Sequence, residues 1–230
     1  MSEFLIIAHR GASGRWPENT LLAFSKALEY GVEWLELDIH LSADGELVVI
    51  HDFTLERTTD GCGQVSDYPL AELRLFDAGM GEKIPLLAEV LDLAAGRATV
   101  NIELKGAGTG AALGLFLQQR FAGQQCVDKL LASSLNGDEL INLSTILPYL
   151  PLAVVAERAD EQLWRLADDL GAWSVNLDKC CIDEALRAVA TQHGKRLLAF
   201  TVNDDRQLQQ LQRWGVDGAF TDFPERFVAK

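Results

Sequence analysis

The stretch Val32-Glu33-Trp34-Leu35-Glu36-Leu37-Asp38-Ile39-His40, continuing through Ser42-Ala43-Asp44-Gly45 to Leu47-Val48-Val49-Ile50-His51-Asp52, decides the fold. Val32 to Ile39 is an apolar run with acids at alternate positions, which reads as a strand. Its period of two points Glu36 and Asp38 to the same face. The polar tetrapeptide is a turn, and Leu47 to Ile50 is a further run that His51 terminates. Upstream, Phe4 to Ala8 is a short strand closed by His9. Between the two lies a helix over 19–30, with Leu21, Leu22, Phe24, Ala27 and Leu28 on one side. Pro17-Glu18-Asn19-Thr20 starts it and Gly31 ends it.

Downstream the rhythm breaks and then returns. From Asp52 to Pro85 the chain is polar and glycine-bearing, an excursion off the framework. After it, helical patterns over 86–95, 111–121, 138–147, 160–170, 182–193 and 205–214 alternate with strand patterns over 99–104, 129–133, 152–156, 173–176, 196–201 and 218–220. That makes eight framework strands if Leu47 to Ile50 extends the second. Continuous apolar strands alternating with helices mean a parallel sheet covered by helices. Eight such units in 230 residues suit a compact TIM (β/α)8 barrel. A doubly wound sheet is the competing arrangement, but no Gly-x-Gly-x-x-Gly follows the first strand and no Gly-x-x-x-x-Gly-Lys loop occurs.

A formal charge of -14 disfavours a nucleic-acid partner, because phosphate backbones reward spread lysine and arginine. Met1 to Ala8 has no basic segment before its apolar run and reads as a strand rather than a signal peptide. No stretch reaches the roughly 18 apolar residues of a membrane span. Cys62, Cys126, Cys180 and Cys181 lack the spacing of a structural zinc site, so a reduced, cytoplasmic compartment fits best. Monomer and homodimer both remain open.

The chemistry gathers at strand ends, where barrel enzymes carry their active sites. His9-Arg10-Gly11, Glu36-x-Asp38, His51-Asp52 and Glu103-x-Lys105 each close an apolar run. His9 and His51 are the candidates for proton transfer, since imidazole titrates near neutral pH. His40 falls in the turn region, and His193 ends a helix. By spacing alone the three acids Glu36, Asp38 and Glu103 are either metal ligands or a fringe paired with Arg10 and Lys105. Those two bases are also the candidate phosphate donors. Glu18 could orient His9 or Arg10, and Asp52 could orient His51. Asn19 is either a helix cap or part of the site. Glu157 ends a strand, and Trp16 is the one tryptophan read near the mouth.

Six segments in order carry a resemblance: His9-Arg10-Gly11, Pro17-Glu18-Asn19-Thr20, Glu36-Leu37-Asp38, His51-Asp52, Glu103-Leu104-Lys105, and Thr201-Val202-Asn203 with the tail Gly215 to Pro224. Together they resemble the glycerophosphodiester phosphodiesterase family, and most closely its short cytoplasmic bacterial members. The resemblance implies a single barrel domain over 1–230 with a small insertion after the second strand, at about 53–85. It implies metal-dependent hydrolysis of glycerophosphodiesters to sn-glycerol 3-phosphate and an alcohol. Lysophospholipids or another sugar-phosphate diester are the alternative substrates, and a non-catalytic phosphodiester-binding barrel is the alternative outside the enzymes. Glu36, Asp38 and Glu103 would ligate one divalent cation, Mg2+ or Ca2+, since all three offer hard oxygens. Arg10, Lys105, Glu18, Asn19, Glu157 and Phe200 would line the substrate site, with His51 as base and His9 as acid. The chain departs from the family pattern at Leu135 and Phe200, where an aromatic and a tryptophan are usual.

Overall fold

The computed structural model describes residues 4–121 and 128–228; Met1 to Glu3 and Cys126 lie outside them. Eight parallel strands form a closed barrel: β1 (Leu5–His9), β2 (Trp34–Leu41), β4 (Thr99–Leu104), β5 (Leu130–Ser134), β6 (Leu152–Ala156), β7 (Ser174–Asp178), β8 (Arg196–Phe200) and β9 (Gly218–Thr221). β1 closes the ring by pairing with β2 on one side and β9 on the other. The run after the Ser42 turn does not extend β2. Leu47–Val49 is a separate strand, β3, folded back antiparallel with Ile39 opposite Val49 and Leu41 opposite Leu47. Gly45 makes that reversal at φ 84, a left-handed backbone that favours glycine.

Around the ring lie α1 (Leu21–Glu29), α3 (Leu87–Ala94), α4 (Thr109–Arg120), α5 (Gly137–Ile146), α6 (Glu161–Asp169), α7 (Glu184–Gln192) and α8 (Asp205–Arg213). Their starts are chemically marked. Asp160, Asp183 and Asp204 each accept a backbone N–H from the first turn of the helix they precede. The cap of α1 is Thr20, whose hydroxyl accepts from Ala23 N at 3.2 Å, so Asn19 is released for another role. No helix among the described residues is long and apolar enough to cross a membrane.

Strand alternation sorts the side chains into two environments. Leu35, Leu37, Ile39, Val100, Ile102, Leu104, Val175, Leu197 and Ala219 point outward into the main core beneath the helices. Inward positions of opposite parity are apolar low in the barrel, where Ile7, Leu198 and Phe220 pack with Trp34 and Trp173. Higher up they turn polar: Glu36, Asp38, Asn101, Ser133 and Asn176 are all buried there.

Between β3 and α3, residues 53–85 hold a 3-10 turn at Val65–Asp67 and the four-residue helix α2 (Leu70–Leu73). They bury a small core of their own, with Leu55, Val65, Leu73, Ala78 and Ile84 packed on Val48 and Ile50 of the hairpin. Arg74 reaches back to Glu89 of α3 with two hydrogen bonds, at 2.5 and 2.9 Å.

At the β1 end, Gly11 turns the chain with φ 82, and a Cβ there would lie 2.7 Å from the backbone of Ala23 in α1. Gly11→Ala should therefore combine a strained dihedral with a backbone clash and cost more than ~1 kcal/mol, read as a lower urea midpoint. An unchanged midpoint would show that this packing does not constrain the loop that follows His9.

Candidate active site

Glu36 and Asp38 from β2 and Glu103 from β4 bring carboxylate oxygens within 4.8 Å of one another. Strand register explains it, since Asp38 stands opposite Glu103 across the parallel pair. Such crowding is unfavourable unless opposite charge is supplied. Arg10 Nε lies 3.2 Å and Lys105 Nζ 3.3 Å from the Asp38 carboxylate, and Lys105 Nζ donates to Glu103 Oε1 at 2.6 Å. Asn19 Nδ2 donates to Asp38 Oδ2 at 2.9 Å. Burial alone would raise Asp38, but Lys105 and Arg10 overcome it and hold the carboxyl down to about 2. Glu36 is pushed well above the usual carboxylate range by burial and by the charges of Asp38 and Glu103. Glu103 rises for the same reasons, with burial first and Asp38 second.

This arrangement needs more positive charge than the two bases provide. Glu36 Oε1 and Asp38 Oδ1 are buried with no hydrogen-bond partner, the Lys105 contact to the latter being too poorly aligned to count as one. Three carboxylates that offer only hard oxygens, two of those oxygens without a hydrogen-bond partner, fit a divalent cation, and Glu36, Asp38 and Glu103 could coordinate one.

Each histidine of the cleft rests on an aspartate. His9 Nδ1 is 2.7 Å from Asp222 Oδ1, and the same carboxylate accepts from Asn203 Nδ2 at 2.6 Å and Ser13 Oγ at 3.1 Å. Burial pushes Asp222 up, yet the bonds from His9, Asn203 and Ser13 bring it down to about 2. His51 Nδ1 is 2.6 Å from Asp52 Oδ1. Asp52 is held far below its ordinary range, first by Arg57 and then by His51. A carboxylate can only accept, so the proton sits on Nδ1 in both histidines and each keeps Nε2 for the cleft.

One cavity of about 200 Å³ unites His9, Arg10, Glu36, His51, Glu103, Lys105, Glu157 and Phe200, with Asn101, Leu135, Asn176 and Thr201 completing its polar and apolar walls. Glu18 and Asn19 stand behind this wall. Glu18 accepts from Arg10 Nη1 at 2.8 Å, while Asn19 serves Asp38. Arg10 and Asn19 both adopt left-handed backbone, at φ 56 and 57, uncommon for residues with side chains and frequent where function demands it. Trp16 takes no part, since its indole packs on the outer core and meets the Tyr30 hydroxyl at 3.4 Å. His40 is buried beneath the site with Nε2 on His51 O at 3.0 Å, and His193 pairs with Asp168 at the surface.

Four contributors were given no role by the sequence, although Asn203 and Asp222 lie within the tail segments that carry the resemblance. Asp222 and Asn203 lie far along the chain from His9, and Arg57 sits inside the excursion. Asn101 had a signal, because it shares strand parity with Glu103, two residues on.

Comparison with known proteins agrees with this geometry. Residues 9–226 match the model of the glycerophosphoryl diester phosphodiesterase family. The chain is 34% identical to a glycerophosphodiester phosphodiesterase of Caldanaerobacter subterraneus subsp. tengcongensis, over 97% of this chain and 96% of that protein. It is 34% identical to one from Bacillus altitudinis over the same shares. Among solved structures, an Oleispira antarctica phosphodiesterase in complex with the product sn-glycerol-3-phosphate superposes with a TM-score of 0.90 at 31% identity, covering 96% of this chain and 94% of that one.

The Asp222 network has a consequence for acid stability. A carboxylate lowered from 3.8 to about 2 on folding stabilises the protein above its ordinary pKa, and that contribution is lost as pH falls through the folded value. The urea midpoints of the parent and Asp222→Asn should therefore differ most near neutral pH and converge as pH drops toward about 2. A gap that stays constant across that range would mean that the pairing with His9 does not hold the charge.

Proposed function

The chain belongs to the glycerophosphoryl diester phosphodiesterase family and is a phosphodiesterase, and from that premise we propose that it hydrolyses small glycerophosphodiesters to sn-glycerol 3-phosphate and a free alcohol by acid–base catalysis at His9 and His51. The observation that carries this reading is the pairing of two aspartate-backed imidazoles on one cleft whose floor is the Glu36, Asp38 and Glu103 cluster. The product held by the Oleispira relative supports the glycerophosphate side. Residues 1–230 are taken as one barrel domain, with about 53–85 as its insertion. Free thiols at Cys62, Cys180 and Cys181 support a reducing, cytoplasmic setting.

In this scheme Arg10 and Lys105 bind the phosphoryl oxygens, whose charge grows as the nucleophile arrives. Both side chains are already oriented by the carboxylates behind them. His51 Nε2 takes the proton of the attacking hydroxyl, either water or the 2-hydroxyl of the glycerol unit. His9, as the acid, gives an Nε2 proton to the departing alcohol oxygen, so the bond to phosphorus breaks without an alkoxide leaving. Asp52 and Asp222 stabilise whichever imidazolium is present. The unpartnered Asn101 and Asn176 groups and Glu157 offer hydrogen bonds to glycerol hydroxyls. Glu36, Asp38 and Glu103 would hold a divalent cation, magnesium in preference to calcium for a cytoplasmic protein, and it would supply positive charge against the negative charge that grows at phosphorus.

A second reading is a diester with a longer apolar alcohol, such as a lysophospholipid. It is favoured by Phe53 and Leu135, exposed at 58% and 52%, which flank an apolar recess opening beside His51 and Lys105.

A metal-by-substrate matrix tests both. Chelated protein should be inactive on glycerophosphoethanolamine, glycerophosphocholine and lysophosphatidylcholine, and added magnesium or calcium should restore release of sn-glycerol 3-phosphate from the first two. Full activity in excess chelator, or free phosphate as first product, overturns the proposal; activity confined to the lysolipid selects the second reading. His9→Ala and His51→Ala should each lose roughly 10²-fold or more in kcat while staying folded. An activated leaving group should partly rescue His9→Ala alone, and rescue of His51→Ala instead would exchange their roles. Glu103→Gln should lose turnover and weaken cation dependence; parental activity with unchanged metal affinity would remove it from the ligand set.

A further inference from the structure

Arg57 belongs to the excursion and touches neither the cleft nor the three acids, yet its guanidinium makes four short hydrogen bonds to two carboxylates. Nε and Nη2 donate to Asp52 at 2.6 and 2.8 Å, while Nη1 and Nη2 donate to Glu18 at 2.7 and 2.8 Å. Each of those carboxylates has its other partner in the site. Glu18 Oε1 also accepts from Arg10 Nη1 at 2.8 Å, and Asp52 Oδ1 also meets His51 Nδ1 at 2.6 Å. One side chain of the insertion therefore ties the loop after β1, 39 residues from Arg57, to the end of the β3 run, 5 residues from it.

An isolated surface ion pair contributes little, and the Arg57 side chain is 46% exposed. Two features separate this case from that rule. The guanidinium forks across both carboxylates, which fixes their planes as an ammonium could not. The carboxylates are also shared, so what Arg57 does to them is passed on. By neutralising part of the Glu18 charge, it limits how tightly Glu18 holds Arg10 and keeps that guanidinium free for a phosphoryl oxygen. By fixing Asp52, it fixes the ring of His51.

We propose that Arg57 is a positioning residue that sets Arg10 through Glu18 and His51 through Asp52, and that the insertion acts on catalysis by delivering this one guanidinium. The inference rests on the assignment of Arg10 and His51 given above. It predicts two separable effects. With Arg57 gone, the undivided charge of Glu18 competes with substrate for Arg10, which raises KM. A loosened Asp52 no longer orients His51, which lowers kcat.

The experiment is a pair of double-mutant cycles with glycerophosphoethanolamine at saturating magnesium. Arg57→Met keeps the apolar stem, and it should raise KM roughly 5-fold and lower kcat roughly 10-fold, with urea midpoints recorded alongside. In a Glu18→Gln background the KM effect should vanish while the kcat effect persists. In an Asp52→Asn background the kcat effect should vanish while the KM effect persists. Parental constants in Arg57→Met, or losses that multiply unchanged in both backgrounds, overturn the proposal, the second outcome marking a merely structural contact. If Arg57→Met does not fold, Arg57→Lys takes its place in both cycles; its ammonium cannot fork, so the same split should appear at smaller size, and parental constants in it overturn the proposal. Arg10→Ala and His51→Ala run in parallel: parental kinetics in those two would fail the underlying assignment, whereas their collapse beside parental constants in Arg57→Met would fail only the positioning role of Arg57.

Discussion

The buried carboxylate of Asp38, held between Arg10 and Lys105, is the interaction on which the upper half of the barrel depends. Three acids packed within 4.8 Å inside a protein cannot all ionise without compensation. Asp38 receives it and stays charged, while Glu36 and Glu103 are raised. The cost of assembling this cluster shows in the backbone beside it. Arg10 takes a left-handed conformation that turns its own N–H onto Glu36 Oε2 at 2.8 Å and its guanidinium toward Asp38. Asn19, also left-handed, bonds Asp38 with both ends of its amide. Strain of this kind persists only where the surroundings over-determine it.

Those surroundings come from the division of the barrel into two layers. Ile7, Leu198 and Phe220 fill the lower interior with Trp34 and Trp173, an apolar floor beneath the polar layer. The same strands present Leu35, Leu37, Ile102 and Val175 to the helices outside, so every inward acid is held by outward packing one residue away. A charged site of this depth is tolerable because the backbone that carries it is anchored by aliphatic side chains on both flanks.

How much of this was legible in the sequence follows from how local each feature is. The two acids at alternate positions of β2, the Glu103-x-Lys105 ending of β4, the strand–helix rhythm and the excursion after Asp52 are patterns within a few residues, and they led to the barrel and to the Glu36, Asp38 and Glu103 cluster. The antiparallel return of Leu47–Val49 was harder, because an apolar run after a turn reads equally as continuation or reversal, and only its pairing with Ile39 to Leu41 decides. Asn19 shows the limit most clearly. Its position suits a helix cap, but Thr20 already satisfies the helix N-terminus, and what claims Asn19 is a carboxylate of the next strand, 19 residues on in the chain. The same holds for Leu135 and Phe200, whose departure from the family pattern was visible but whose shared place on the cleft wall was not.

The two histidines look equivalent in sequence, each closing a strand and each followed by a charged residue, yet the fold secures them by different means. His9 finds its carboxylate 213 residues away, just past β9, and β1 reaches β9 only because the barrel closes there. Its geometry is therefore a property of the completed ring and cannot form before the last strand docks. His51 has its carboxylate next to it in the chain, and what orders that short contact is a guanidinium from the excursion. Closure of the barrel thus fixes one histidine of the cleft, and a side chain of the insertion braces the carboxylate of the other. A site assembled this way needs both the repeating framework and its single interruption, which gives the segment from Phe53 to Pro85 a physical reason to stand where it does, directly after β3 and His51.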